Sequence, residues 1–147
     1  MLWLTDDAYA LISNNCPRGQ DGLIDVPHSG IIVAGEIPLL RVLLKMALED
    51  AGFDVVGEAD DAQSLLVLSQ SQKPAVVLID FNMEESELVR LIEDILDVDP
   101  IIAVVVISDP MMGIGETVLA VGARAFLQKP FSMYDMTEIV RKVKPVF

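Results

Sequence analysis

From Ile31 onward, short apolar runs alternate with stretches whose apolar residues recur at helical spacing, and that alternation admits few folds. Residues 31–34 read as a first strand, after which Leu40, Leu43, Leu44 and Ala47 keep helical spacing until Gly52, a helix stop. Residues 53–59 read as a second strand, with Asp60 or Asp61 capping a helix that runs through Ser69. Residues 75–81 form the third predicted strand, followed by an acidic helix with Leu88, Leu91, Ile92, Ile95 and Leu96 on one face and Pro100 at its end. A fourth strand is expected over 101–107, a short helix over 116–121 closed by Gly122, and a fifth strand over 125–128. The last helix spans 133–144, with Met136, Ile139, Val140 and Val143 inward. Five strand–helix units of this length predict an α/β fold: a doubly wound parallel sheet with helices on both faces and right-handed crossovers.

Three of the apolar runs, at 76–79, 103–107 and 125–127, stop within two residues of a chemically distinctive side chain: Asp80, Ser108 and Lys129. In a parallel sheet those ends share one edge, the ligand-binding crevice of open α/β folds. Glu36 follows the first strand, so two carboxylates, a hydroxyl and an ammonium are expected together. Such a set suits Mg²⁺ and phosphoryl chemistry, because Mg²⁺ takes hard oxygen ligands and often only one or two carboxylates. Asp80 is then the nucleophile toward phosphorus, with Ser108 and Lys129 on oxygens of the transferred group. The plain alternatives are that Asp80 caps a strand end or merely pairs with Lys129, and that Ser108 is an ordinary strand-end serine. A lysine directly after a buried strand, however, calls for an anion.

With 147 residues, 52% of them hydrophobic, the chain suits one domain plus an N-terminal appendage. Ten Lys and Arg against 23 Asp and Glu leave a formal charge of −13, which opposes attraction to nucleic-acid phosphates and anionic lipid. Cys16 is the only cysteine, which rules out an intramolecular disulfide and a Cys-rich zinc site, and a reducing, cytoplasmic setting is expected. Asp6 and Asp7 interrupt the apolar start where a secretion signal needs a longer run, and no stretch reaches membrane-spanning length. Residues 13–30 (SNNCPRGQDGLIDVPHSG) have loop composition, which divides the chain into an extension over 1–29 and a domain over 30–147. Residues 2–12 have the pattern of a short amphipathic helix, docked on the domain or paired with another copy; a loosely ordered leader is the other reading. His28 has no ligand partner at suitable spacing. Arg141, Lys142 and Lys144 read equally as a partner surface or as complements to a helix dipole.

Five segments match one known pattern in order: IIVAGEIPLLR (31–41), GFDVVGEADDA (52–62), KPAVVLIDFNM (73–83), VVVIS (104–108) and GARAFLQKPF (122–131). On them, residues 31–144 resemble a receiver domain of two-component response regulators, chemotaxis-receiver-like. The resemblance implies a flavodoxin-like sheet of order 2-1-3-4-5, with Asp80 as phosphoacceptor. It implies Mg²⁺ held by Glu36, Asp80 and the backbone carbonyl of Asn82, with Lys129 as the family's site lysine and a cis Lys129–Pro130 peptide. It also makes Ser108 the hydroxyl that follows the phosphoryl group on activation, and Phe126 the switch aromatic. Three departures stand out. Gly35 occupies the first of two positions that are usually acidic, so weaker Mg²⁺ affinity is expected; Met83-Glu84-Glu85-Ser86-Glu87 replaces a Pro- and Gly-containing loop; and Asp109 replaces a small residue, where it either obstructs a phosphodonor or stands in for the missing acid.

Two functions follow. One is a phosphoacceptor that takes a phosphoryl group from a histidine kinase or histidine phosphotransfer protein and signals through its fourth helix, fifth strand and fifth helix, the family's usual dimer surface. With no output domain after Phe147, it acts as a stand-alone receiver or as a piece of a longer protein. The other is a pseudo-receiver, a protein-interaction module that works without phosphorylation. An enzyme acting on a separate substrate is disfavoured: Gly113-Ile114-Gly115 lacks the third glycine of a dinucleotide loop, and Asn82 stands where an aspartyl phosphatase needs a second Asp.

Overall fold

The computed structural model describes residues 2–3, 29–109 and 113–144. Strands β2 (Ile31–Gly35), β3 (Val55–Ala59), β4 (Val76–Asp80), β5 (Ala103–Ser108) and β6 (Ala125–Gln128) pair in parallel in the order β3-β2-β4-β5-β6. Counted along the domain this is the expected 2-1-3-4-5. A sixth strand, β1 (Leu2–Trp3), pairs antiparallel with β6 at the outer edge. The helix expected from residue 2 therefore does not begin there, because Leu2 and Trp3 use the free edge of β6. The rest of that expectation and the linker with Cys16 and His28 lie outside the described residues.

Side chains alternate across the sheet and build two cores, as period-two strands covered on both faces must. Val77, Ile79, Val104, Val106 and Phe126 face one core with helices α2 (Ala62–Gln72), α3 (Glu85–Val98) and α4 (Gly115–Ala120). Val76, Leu78, Val105, Ile107 and Leu127 face the other with α1 (Pro38–Asp50) and α5 (Met133–Val143). Ile92, Ile95, Ile139 and Val140 are fully buried, each stabilising the fold by about 1.5–3 kcal/mol.

The helix ends explain the boundaries. Pro38 opens α1 at a position where its missing N–H is no loss, and Gly52, with φ of 95°, follows its C-terminus. Asp61 caps α2, its Oδ1 accepting from the Ser64 N–H at 2.8 Å. Ser132 and Asp135 form a reciprocal capping box on α5, which the sequence reading did not single out. Two of the exposed C-terminal cations have partners on their own domain: Arg141 pairs with Glu138 at 3.5 Å, and Arg141 and Lys144 lie 5.2 and 5.9 Å from the Phe53 ring centroid.

Candidate functional site

Register brings the site together. Gly35 at the end of β2 lies opposite Asp80 at the end of β4, and Ser108 at the end of β5 lies opposite Gln128, one residue before Lys129. The Lys129 N–H donates to the Ser108 carbonyl at 2.9 Å, and the Lys129–Pro130 peptide is cis. Lys129 Nζ reaches Asp80 Oδ1 at 3.0 Å, with the Asp80 side chain only 12% exposed. A carboxylate removed that far from water requires a cation, and this pair supplies it.

Glu36 is exposed on the loop after β2, and its Oε1 accepts the Asn82 N–H at 3.1 Å, tying two loops at the sheet edge. Ser108 is buried, and its hydroxyl donates to the Asp109 carbonyl at 3.3 Å. Glu36, Asp80, Asn82, Ser108, Asp109 and Lys129 line one cleft, as does Gly35. Phe126 stays out of it: 4% exposed, its ring lies in the core against Gly115, where an added Cβ would sit 2.9 Å from Cδ2.

One residue of the cleft was missed in the sequence. Arg41 donates from Nη1 to the Gly35 carbonyl at 2.6 Å and from Nε to Glu58 at 3.2 Å, while Lys45 reaches Glu58 at 3.4 Å. The available signal was Arg41 and Lys45 four residues apart on α1, facing the one charged residue of β3. Arg41 thereby fixes the backbone that carries Gly35 and Glu36.

The donor set fits a hard divalent cation. Glu36, Asp80 and the Asn82 backbone border one cleft, and one or two carboxylates suffice for Mg²⁺ when phosphate oxygens and water complete the octahedron. Asp109 does not complete a triad: among the described residues no three His, Cys, Asp or Glu side chains are grouped to hold a metal. Two groups outside the cleft have displaced pKa values. Hydrogen bonds from the Ser64 backbone and side chain hold Asp61 below the ordinary carboxylate range, and desolvation lowers the half-buried Arg124 guanidinium.

Fold and cleft together define a flavodoxin-like α/β domain with an aspartate–lysine pair at the C-terminal edge of its sheet. The chain belongs to the response regulator receiver domain family, whose model matches residues 31–141. It is 26% identical over 118 residues to the chemotaxis protein CheY of Thermotoga maritima, covering 77% of this chain and 95% of that protein. It is 30% identical over 108 residues to the transcriptional regulatory protein PdtaR of Mycobacterium tuberculosis, covering 72% of this chain but only 52% of PdtaR, about half its length. The receiver domain of the response regulator NarL from M. tuberculosis superposes with a TM-score of 0.67 at 27% identity, covering 79% of this chain and 95% of that one. Receiver domains are signalling modules of two-component systems. No helix among the described residues is long and apolar enough to cross a membrane.

Proposed function

We propose that this chain is a phosphoacceptor receiver in which Asp80 accepts a phosphoryl group from a histidine kinase or a histidine phosphotransfer protein. The observation that carries the reading is the Asp80–Lys129 pair at 3.0 Å, with Asp80 ending β4 and Lys129 directly after β6, inside the family match. An Asp80 carboxylate oxygen attacks phosphorus, the phosphorus–nitrogen bond to the donor imidazole breaks with its electron pair leaving on nitrogen, and an acyl phosphate forms. Lys129 then exchanges its hold on Asp80 for an oxygen of the bound phosphoryl group, and the Ser108 hydroxyl turns from the Asp109 carbonyl toward another. Glu36, Asp80 and the Asn82 carbonyl would hold Mg²⁺, which would supply positive charge to offset that of the transferred group. A cytoplasmic, two-component setting follows from this role.

A protein donor is supported by an apolar stripe beside the cleft. Leu39, Val42, Leu43 and Met46 lie on one face of α1 at 41–67% exposure, and Ile37, 55% exposed, carries the stripe to the cleft mouth. Residues at i, i+3, i+4 and i+7 present a ridge suited to packing against helices of a donor. Output passes through α4, β6 and α5, where Phe126 sits.

Gly35 favours one second reading, a pseudo-receiver that recognises partners without phosphorylation. Intact-mass measurement after incubation with acetyl phosphate, with and without Mg²⁺, separates the two. A Mg²⁺-dependent phosphate adduct absent from Asp80→Ala supports the phosphoacceptor; no adduct at high Mg²⁺ moves the chain to the second reading.

A further inference from the structure

The two edges of the parallel sheet are protected differently. At one edge, β3 carries Gly57 and the ion-paired Glu58, and its register with β2 shifts between Ile31 and Ile32. Charge and irregular pairing both discourage addition of another strand. At the other edge, β6 reads AFLQ, with no charge, proline or irregularity inside it, and its pairing with β5 is regular. Such an edge is an open template for another chain, and it is the one that β1 covers, with Leu2 opposite Leu127 and Trp3 opposite Phe126.

We propose that the outer edge of β6 is a strand-addition surface whose resident occupant is the chain's own N-terminal strand, and that this strand keeps a second copy of the domain off the α4–β6–α5 side. The choice of that side as the place where copies meet rests on the receiver reading; the occupancy of the edge rests on the pairing alone. Among the described residues the ladder spans two residue pairs, Leu2 with Leu127 and Trp3 with Phe126, so each main-chain hydrogen bond removed from it is a large share of that pairing. Its position matters for signalling as well: Trp3 is in register with the switch-position residue, and Lys129, which holds Asp80, is the residue directly after β6.

Hydrogen exchange of the peptide spanning 125–128 tests the occupancy in the full-length chain, and sedimentation velocity over a concentration series tests the exclusion. Leu2→Pro and Trp3→Pro each remove one backbone donor from β1, and together they cover both possible hydrogen-bonding phases of a two-residue strand. The expected result is exchange about 10-fold faster in at least one variant, accompanied by self-association at lower concentration in that variant than in the wild type. Equal exchange in all three proteins would overturn the occupancy. Faster exchange with unchanged self-association would overturn the exclusion of a second copy. Neither measurement involves phosphate, so failure of Asp80 to accept a phosphoryl group leaves a different signature.

Discussion

Replacing Gly35 by Asp should restore the missing half of the acidic pair, and the structure says the side chain fits. A Cβ at position 35 would lie 3.6 Å from the Asp80 carbonyl oxygen and 3.9 Å from its Cβ, both ordinary contacts, on backbone outside the left-handed region. A new carboxylate about 4.5 Å from a divalent ion gains about 1.8 kcal/mol even at the dielectric of bulk water, and more in a partly buried cleft. Allowing for screening by salt, Mg²⁺ affinity should rise at least about 10-fold. Without metal the same carboxylate, about 5 Å from that of Asp80, costs about 0.8 kcal/mol on the same scale, with Lys129 already committed to Asp80. Gly35→Asp should therefore melt below the wild type in EDTA and at or above it in Mg²⁺. Calorimetric titration with MgCl₂ and thermal unfolding with and without metal measure both terms. Unchanged Mg²⁺ affinity in a folded variant would refute the argument that Gly35 limits metal binding.

Other perturbations probe separate parts of the account. Leu39→Glu should reduce phosphorylation by a protein donor at least about 10-fold while leaving the acetyl phosphate reaction unchanged, since Leu39 is 67% exposed and does not line the cleft; radiolabelled phosphotransfer assays compare the two donors. Gly115→Val should destabilise by about 1–3 kcal/mol in urea titrations, because its Cβ would meet the buried Phe126 ring at 2.9 Å. Asp61 has a folded pKa lowered by its bonds to Ser64, so its contribution is present above the unfolded pKa and is lost as pH falls through the folded one. Asp61→Asn, an equally good cap, should flatten that part of the acid limb in urea midpoints measured from pH 5 to 2.

Much of this was legible because strands end where their apolar runs end. Asp80, Ser108 and Lys129 each terminate such a run, and parallel register then leaves them little choice of neighbours. The Glu36–Asn82 hydrogen bond was not legible, because strand order brings the two loops to one edge but the loop conformations decide that Glu36 meets the Asn82 N–H. Arg41 was missed as a cleft residue because its bond to the Gly35 carbonyl carries no sequence signal, and the signal that existed, Arg41 and Lys45 facing Glu58, points to an ion pair rather than to the cleft. Gly115 read only as part of an incomplete dinucleotide loop, whereas its lack of a side chain makes room for Phe126. Strand β1 was not legible, and residues 2–12 read either as a short amphipathic helix or as a loosely ordered leader, because two residues are too few for any period to declare itself and an edge strand takes its conformation from its neighbour.

The central claim is that Asp80 carries the phosphoryl group, and trapping the acyl phosphate at its residue tests it most directly. After reaction with acetyl phosphate and Mg²⁺, borohydride reduction converts an aspartyl phosphate to homoserine, which peptide sequencing by mass spectrometry can locate. The account predicts homoserine at position 80 and nowhere else, absent when Mg²⁺ is withheld. Homoserine at another aspartate, or none at 80 in a sample whose intact mass shows a phosphate adduct, would contradict it.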